Sequence, residues 1–256
     1  MKIATWNVNS LRVRLPQVLD WTGTVAPDVL ALQETKLTDE NFPAEALEDA
    51  GYLTAFAGQK TYNGVAILSK TPPDDVETDF AGKESSERRT IAATCAGVRI
   101  INLYVVNGQE VGSQKYEYKL RWLNFVADYL KQQIKSRKDV VVVGDFNIAP
   151  DDRDVHDPEA WREQILCSTS ERAALQKIFS LGFTDVFRHF NEEGGQFSWW
   201  DYRAAAFRRN LGLRIDLILA SPSMLDRCLG CGIDKGPRKN QRPSDHTPVV
   251  AEFRDA

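Results

Sequence analysis

The stretch VVVVGDFNIAP, residues 140–150, decides the fold. Its four consecutive valines are typical of a β-strand that is covered on both faces, as the central strands of layered α/β domains are. Asp145 and Asn147 stand where this strand would pass into its loop. IATWNVNSL, residues 3–11, repeats the plan of an apolar strand followed by alternate polar residues. The two stretches indicate a duplicated half-sheet architecture.

Length and composition are those of a globular protein. The 256 residues include 43% hydrophobic and 27% charged residues, which are ordinary proportions for a folded domain. No apolar run reaches the roughly eighteen residues that a membrane span needs, and the chain opens as a strand rather than a signal segment. We therefore expect one domain, residues 1–256, in an intracellular, cytoplasmic protein.

Charge and cysteine content exclude some classes and leave others open. The formal net charge of −4 argues against a generally basic DNA-coating protein, but local contacts with nucleic acid remain open. Four cysteines are too few for a disulfide framework. Cys228 and Cys231 have redox or half-zinc spacing without a second pair, so we interpret them as small, partly buried side chains.

Short apolar runs alternate loosely with helical patterns along the chain. The predicted strands are 3–6, 29–33, 65–69, 90–95, 99–105, 140–144, 197–200, 215–220 and 249–253. Helices are predicted around 15–25 and 120–134, and a capping box from Ser168 to Glu171 predicts another that ends before Gly182. Neighbouring strands such as 90–95 and 99–105 imply hairpins, which favours a mixed-sheet α/β layered domain.

Polar side chains stand where the predicted strands meet their loops. They are Asn7, Asn9, Glu34, Tyr104, Asn107, Asp145, Asn147, Asp216, Asp245 and His246. Any one Asn or Asp could be an ordinary turn residue. Asp216 is harder to explain in that way, because an ionised carboxylate inside an apolar strand needs a partner. Strand ends gather at one edge of a sheet in α/β folds, so we expect a shared site.

The residue types in this set favour phosphate ester chemistry. Oxygen ligands without thiolates suit a hard cation such as Mg²⁺ or Mn²⁺, which one or two carboxylates hold together with substrate phosphate. Asp and Asn can orient a water, and a histidine can contact developing phosphoryl charge. Neither GxxxxGK[ST] nor GxSxG is present, so a P-loop nucleotidase is not indicated.

Seven motifs in order resemble those of exonuclease III-type abasic-site (AP) endonucleases, in the exonuclease–endonuclease–phosphatase superfamily. They are WNVNSLR, LQETK, NGVAILSK, GDFNIAP, FSWWDYR, GLRIDLILAS and SDHTPV. The resemblance implies a four-layer αββα sandwich with two packed mixed sheets and pseudo-twofold halves. It also implies Mg²⁺-dependent cleavage of double-stranded DNA 5′ to abasic sites, with trimming of blocked 3′ ends. Mn²⁺ would substitute, and we expect a monomer associated with a bacterial-type nucleoid.

The resemblance assigns roles on the metal side and the water side of this site. Glu34 would be the main metal ligand, with Asn7 near it and Asp245 beside the metal. Asp145 would position or deprotonate the attacking water. Asn147 would hold a phosphate oxygen.

Further roles concern the phosphate. His246, oriented by Asp216, would contact the scissile phosphate and stabilise its charge. Tyr104 and Asn107 would hydrogen-bond the same group. Whether Asp145 or His246 takes the proton of the water stays open at this point.

Basic residues in loops that flank the motif strands are candidate phosphate contacts. They are Arg88, Arg89, Lys115, Lys119, Arg121, Arg203, Arg208, Arg209 and the basic residues of 235–242. At least one of Trp199 and Trp200 must face the core. The resemblance places Trp199 in a pocket for a sugar that lacks its base, where an apolar wall excludes full nucleotides.

Other activities remain open on the sequence. An enzyme of the same branch that processes only 3′ ends would use the same chemistry. A superfamily member that acts on lipid or inositol phosphates, and a non-catalytic DNA-binding module, are further alternatives. Asn9 stands where some relatives have aspartate, and the segment after Asn107 is shorter than in some relatives, which bears on substrate preference.

Overall fold

The strands of the protein form two six-stranded sheets and a two-stranded ribbon in a computed structural model that describes residues 1–82 and 86–255. The strands are β1 (Lys2–Asn7), β2 (Val29–Gln33), β3 (Leu53–Ala57), β4 (Val65–Ser69), β5 (Asp74–Thr78), β6 (Thr90–Cys95), β7 (Val98–Tyr104), β8 (Val140–Asp145), β9 (Thr184–Asp185), β10 (Trp199–Trp200), β11 (Gly212–Leu213), β12 (Asp216–Ala220), β13 (Cys228–Ile233) and β14 (Val249–Phe253). The helices are α1 (Leu11–Val25), α2 (Ala44–Asp49), α3 (Gln114–Ser136), α4 (Thr169–Phe179), α5 (Val186–Phe190), α6 (Ala206–Arg209) and α7 (Pro222–Leu225). Short 3₁₀ turns occur at Asp39–Asn41, Asp152–Asp154 and Pro237–Lys239.

The two large sheets share one plan. The first has the order β13-β14-β1-β2-β4-β3, and the second has the order β5-β6-β7-β8-β12-β9. Each contains a central parallel pair, β1 with β2 or β7 with β8, and a helix connects the two strands of the pair. The strands on either side of each pair are antiparallel to it. This repeated order confirms the predicted sandwich with pseudo-twofold halves.

The sequence echo, however, relates strands that are not equivalent. When the two strand–helix–strand units are matched in chain order, β1 corresponds to β7 and β2 corresponds to β8. The echo compared β1 with β8. What these two strands share is a meeting point, because Asn7 Nδ2 at the end of β1 donates to Asp145 Oδ2 at the end of β8 over 2.9 Å.

Alternating side chains divide the core into three apolar layers. Ile3 of the first sheet and Val141 of the second lie in the cluster between the sheets. Their neighbours face outward, Ala4 toward α1 and α2, and Val142 toward α3 and α4. The central strands are therefore covered on both faces, which explains why they are continuously apolar. No helix in the described part of the chain combines the length and apolar character that crossing a bilayer requires.

Predicted and observed elements agree best in the middle of the sheets. Strands 29–33, 65–69, 90–95 and 249–253 have the predicted bounds, and α4 begins after the predicted Ser168 capping box. The strand predicted over 197–200 is wrong in extent, because only Trp199–Trp200 pairs, with β11. Strands β3, β5, β9, β11 and β13 were not predicted. They are short or lie at sheet edges, where solvent on one side removes the apolar pattern.

A buried ion-pair network fixes the loops behind β12. Arg214 Nε lies 2.6 Å from Asp154 Oδ1, and its Nη2 lies 2.7 Å from Asp185 Oδ2. The three side chains are no more than 9% exposed, and Arg188 also pairs with Asp154. The network joins the 3₁₀ turn at Asp152–Asp154, strand β9 and the segment that leads into β12. Charged groups that are buried away from water need oppositely charged partners. The loss of one member of the network would therefore leave another buried charge insufficiently neutralised.

Replacing Arg214 by methionine (Arg214→Met) should lower the free energy of unfolding by about 3–5 kcal/mol, because Asp185 loses its ion-pair partner and Asp154 keeps only Arg188. Arg153→Met is the matched control, since Arg153 pairs with Asp151 at 50% exposure. It should lower stability by less than about 1 kcal/mol. Urea denaturation measures both variants, and equal losses would contradict a special role for the buried network.

Candidate active site

The ends of the central parallel strands of both sheets meet at one edge of the sandwich. Glu34 follows β2, Asp145 ends β8, and His246 precedes β14. One ligand atom from each of these three residues lies within 4.8 Å of the other two. Asn7, at the end of β1, donates from Nδ2 to Glu34 Oε1 over 3.0 Å and to Asp145 Oδ2 over 2.9 Å. Residues distant in sequence are thus joined in one polar cluster.

The side chain of Asp145 is almost completely buried. Its Oδ1 accepts the backbone N–H of Asn147 at 2.9 Å, and its Oδ2 lies 3.7 Å from His246 Nε2. Burial raises the pKa of Asp145, the charge of His246 opposes that effect, and the charge of Asp216 adds to it. The pKa rises to about 7. This carboxyl can therefore gain or lose a proton near neutral pH.

His246 is fixed by Asp216. Its Nδ1 lies 2.9 Å from Asp216 Oδ2, and both side chains are buried. Burial alone would lower the pKa of His246, but the charges of Asp216 and Asp145 outweigh it and raise the pKa to about 10. The imidazole is therefore protonated at neutral pH. Asp216 is itself fixed at the start of β12, where its backbone N–H donates to Ser198 Oγ over 3.0 Å.

Glu34 has a different environment. Its backbone takes a left-handed φ of 52°, and its side chain is 18% exposed. Burial would raise the pKa of Glu34, but Lys36 and Asn7 outweigh it and the pKa is lowered. Lys36 Nζ lies 2.9 Å from Glu34 Oε2 and donates to Asn9 Oδ1 over 2.5 Å. Glu34 therefore stays ionised.

The predicted phosphate contacts line the side of the cluster formed by the second sheet. Asn107 Nδ2 donates to Asn147 Oδ1 over 3.2 Å, and Asn147 Nδ2 donates to Val105 O over 3.0 Å. Burial, with the charge of Glu34, raises the pKa of Tyr104 well above its usual range, so its hydroxyl stays protonated. The Arg89 guanidinium stacks on the Tyr104 ring, 4.6 Å from its centroid.

Asp245 lies beside this cluster but outside the group formed by Glu34, Asp145 and His246. Its Oδ1 accepts from Asn9 Nδ2 over 2.9 Å, and its Oδ2 accepts from Trp199 Nε1 over 3.0 Å. Its place near a metal ion stays a prediction. Trp199 is partly exposed at the rim, whereas Trp200 is fully buried in the core.

The predicted DNA contacts differ in exposure. Arg203 is 89% exposed and lies 3.0 Å from Asp201, and Lys115 is exposed in the first turn of α3. Arg88 is paired with Asp79, with its side chain 40% exposed. These positions can reach a phosphate backbone, and their contribution to DNA binding stays a prediction.

Two of the proposed phosphate contacts are wrong. Lys119 is fully buried and paired with Glu171. Arg238 is 7% exposed, with its guanidinium 5.0 Å from the centroid of the Phe207 ring. Both were interpreted as surface charges because the sequence does not show which basic residues have buried partners.

Two residues that shape the site received no role from the sequence. Lys36 neutralises Glu34, and Ser198 accepts the backbone N–H groups of Ile215 and Asp216 over 3.1 and 3.0 Å. Lys36 lies in the motif LQETK and Ser198 lies in the motif FSWWDYR. Their place inside these motifs was the only sequence feature that could have indicated a role in the site.

The acidic group is chemically suited to a divalent cation. The carboxylates of Glu34 and Asp145 lie together without any thiolate, and oxygen ligands of this kind favour hard cations. Asn7 turns its amide nitrogen toward both carboxylates, while its oxygen accepts the backbone N–H of Asn9 over 3.0 Å. In this orientation Asn7 bridges the two acids rather than presenting an oxygen ligand.

Replacing Asp216 by asparagine (Asp216→Asn) should lower the pKa of His246 by roughly one to three pH units, because the closest opposing charge is removed. Titration of the imidazole signals by NMR in EDTA-treated protein measures the change. Asp226→Asn, which alters an exposed aspartate, is the control. An unaltered His246 titration in Asp216→Asn would show that Asp216 does not hold the proton.

Comparison with known proteins places these residues in a family. Residues 4–246 match the Endonuclease/Exonuclease/phosphatase family. Exodeoxyribonuclease III of Haemophilus influenzae is 35% identical, and the match covers 99% of this chain and 100% of that protein.

Solved structures agree closely with this fold. The 3′ phosphatase NExo from Neisseria, bound to a product DNA hairpin, has a TM-score of 0.98 and 48% identity, with full coverage of both chains. An AP endonuclease from Archaeoglobus fulgidus has a TM-score of 0.95 and 42% identity over 99% of each chain. The chain belongs to the endonuclease/exonuclease/phosphatase family and, within it, to the exonuclease III type of AP endonucleases.

Proposed function

We propose that the protein is a Mg²⁺-dependent DNA repair phosphodiesterase that hydrolyses the backbone 5′ to abasic sites and trims 3′ ends. The observation that carries this proposal is the convergence of Glu34, Asp145 and His246 within 4.8 Å, with Asp216 behind the imidazole. The relatives support DNA as the substrate, because one of them is a 3′ phosphatase bound to a product DNA hairpin.

Glu34 would hold the metal ion, because its carboxylate stays ionised and is partly accessible. Asp245 would lie on the same side, and Asn7 would fix Glu34 and Asp145 relative to each other through its two hydrogen bonds. Mn²⁺ would replace Mg²⁺, since both are hard cations. When bound, the ion supplies positive charge to a phosphate oxygen.

Asp145 is the better candidate for the general base. Its pKa is raised to about 7, which suits a group that accepts a proton near neutral pH. His246 is already protonated, because its pKa is raised to about 10. Its Nδ1–H is directed at Asp216, so its Nε2–H remains to donate to a phosphate oxygen. Of the two alternatives that the sequence left open, these pKa shifts favour Asp145.

The amides and the phenol would hold the remaining phosphate oxygens. Asn147 Nδ2 makes a second, longer hydrogen bond of 3.2 Å to Asp145 Oδ2, which it can exchange for a phosphate oxygen. Asn107 supports Asn147, and Tyr104 keeps a hydroxyl proton to donate. Groups aimed in advance at the developing charge lower the barrier without reorganisation.

Replacing Asp145 by asparagine (Asp145→Asn) should reduce cleavage of abasic DNA by about 10²–10⁴-fold, because an amide cannot accept the proton of the water. DNA binding should change little, since the phosphate contacts remain. Single-turnover cleavage and gel-shift titration measure the two effects.

Asp49→Asn, an exposed position in α2, is the control for that substitution. EDTA should abolish wild-type turnover, and added Mg²⁺ should restore it. Full turnover by Asp145→Asn would exclude Asp145 as the base, and turnover that resists EDTA would exclude the metal mechanism.

A second candidate function is an enzyme that processes 3′ ends and cuts internal abasic sites poorly. It is favoured by the 48% identity to the Neisseria 3′ phosphatase, against 42% to the archaeal AP endonuclease. The catalytic group would be the same in both enzymes. The pocket at Trp199 and the loops around it would decide between them.

Two duplexes of matched sequence, one with an internal abasic site and one with a 3′-phosphate, distinguish these functions. The main proposal expects both to be processed, and Trp199→Ala should slow abasic-site cleavage more than 3′-phosphate removal. Trp199 is partly exposed, so this truncation should leave the fold intact. Removal of the 3′-phosphate with the abasic duplex left uncut would establish the second function instead.

A further inference from the structure

A fully buried lysine lies directly behind the phosphate contacts and takes no part in the chemistry described above. Lys119, in α3, has no solvent exposure. Its Nζ donates to the backbone carbonyls of Asn107 over 3.0 Å and Asn147 over 2.7 Å, and it pairs with Glu171. A buried ammonium is costly unless its donors are satisfied, and here three acceptors satisfy all three.

The two carbonyls belong to the loops that present the amides to the site. Asn107 follows β7 and Asn147 follows β8, and their side chains share a hydrogen bond of 3.2 Å. Asn147 has a left-handed φ of 49°, which is uncommon for a residue other than glycine. Its backbone N–H also donates to Asp145 Oδ1 over 2.9 Å. A shift of either loop would therefore move the amides and the carboxylate together.

Glu171 is anchored independently of Lys119. It accepts the backbone N–H groups of Leu166 and Ser168, each over 3.1 Å, and the Ser168 hydroxyl over 2.7 Å. These bonds include the capping box of α4. A carboxylate held in this way keeps its place without Lys119, and its ion pair is separate from the two hydrogen bonds that Lys119 donates to the loop carbonyls.

We propose that Lys119 is a positioning residue that holds the Asn107 and Asn147 loops at the separation needed to contact the phosphate. This inference rests on the proposed function, because it assigns Lys119 to the geometry of that reaction. A purely structural ion pair would involve Lys119 and Glu171 equally. A positioning role predicts different effects for the two residues, because only Lys119 contacts the loop carbonyls.

The test compares Lys119→Met with Glu171→Gln. Both disrupt the same buried pair, but only Lys119→Met removes the contacts with the two carbonyls. Lys119→Met should lower kcat for abasic-site cleavage by about 100-fold, because a small displacement of positioning groups is enough for such a loss. KM should stay within about threefold, since the lost interaction acts on the transition state.

Glu171→Gln should lower the melting temperature to a similar extent and reduce kcat by less than about tenfold. Lys131→Met, an exposed lysine further along α3, should behave as wild type. Equal losses of kcat in Lys119→Met and Glu171→Gln would overturn the proposal. Lys119→Gln, which keeps a polar donor, takes its place if Lys119→Met does not fold.

The side-chain amide signals of Asn107 and Asn147 in NMR spectra provide a readout that does not depend on catalysis. They should move in Lys119→Met and remain near their wild-type positions in Glu171→Gln. Unmoved signals in Lys119→Met would overturn the positioning role. A wild-type protein without nuclease activity would refute the proposed function separately, and the amide signals would still test Lys119.

Discussion

The cationic imidazole of His246 between two buried carboxylates is the interaction on which the site depends. Asp145 and Asp216 stand opposite each other in the register of β8 and β12, where two ionised acids without water would repel strongly. His246 lies 2.9 Å from Asp216 Oδ2 and 3.7 Å from Asp145 Oδ2, so one positive charge faces both. Asp216 takes the closer contact with the imidazole, and burial raises the pKa of Asp145.

This arrangement requires the two sheets to keep a fixed alignment, because His246 lies in the segment that leads into β14 of the first sheet, and both aspartates belong to the second. A buried polar link between the sheets provides that alignment. Asn102 of β7 donates to the carbonyls of Leu32 and Ala66 across the interface, each over 2.9 Å, and accepts from Gln33 Nε2 over 2.7 Å. Apolar packing alone tolerates sliding, whereas these directional bonds specify one offset between the sheets.

The fold and the convergence of the candidate site residues were largely predictable from sequence, and the contacts that support them were not. The valines before Asp145 predicted a central strand, and polar residues at strand ends predicted a shared site. Local patterns carry that information, because strand period and strand ends are properties of short segments. The burial of Lys119 and Arg214 depends on carboxylate partners 29 to 60 residues away, so both resembled surface charges or passed unnoticed. The edge strands were missed for a related reason, since they have solvent rather than a second layer on one side.

The two matching halves of the fold each contribute one acid to the site, and the two acids differ in pKa. Glu34 directly follows β2, and Asp145 ends β8, the strand that occupies the place of β2 in the other sheet. A symmetric scaffold thus brings one carboxylate from each half to the same site. Lys36 lowers the pKa of one, and burial raises the pKa of the other. Two nearly symmetric backbone positions therefore carry carboxyl groups of opposite proton affinity. Glu34 in one half stays an anion, and Asp145 in the other half can exchange a proton.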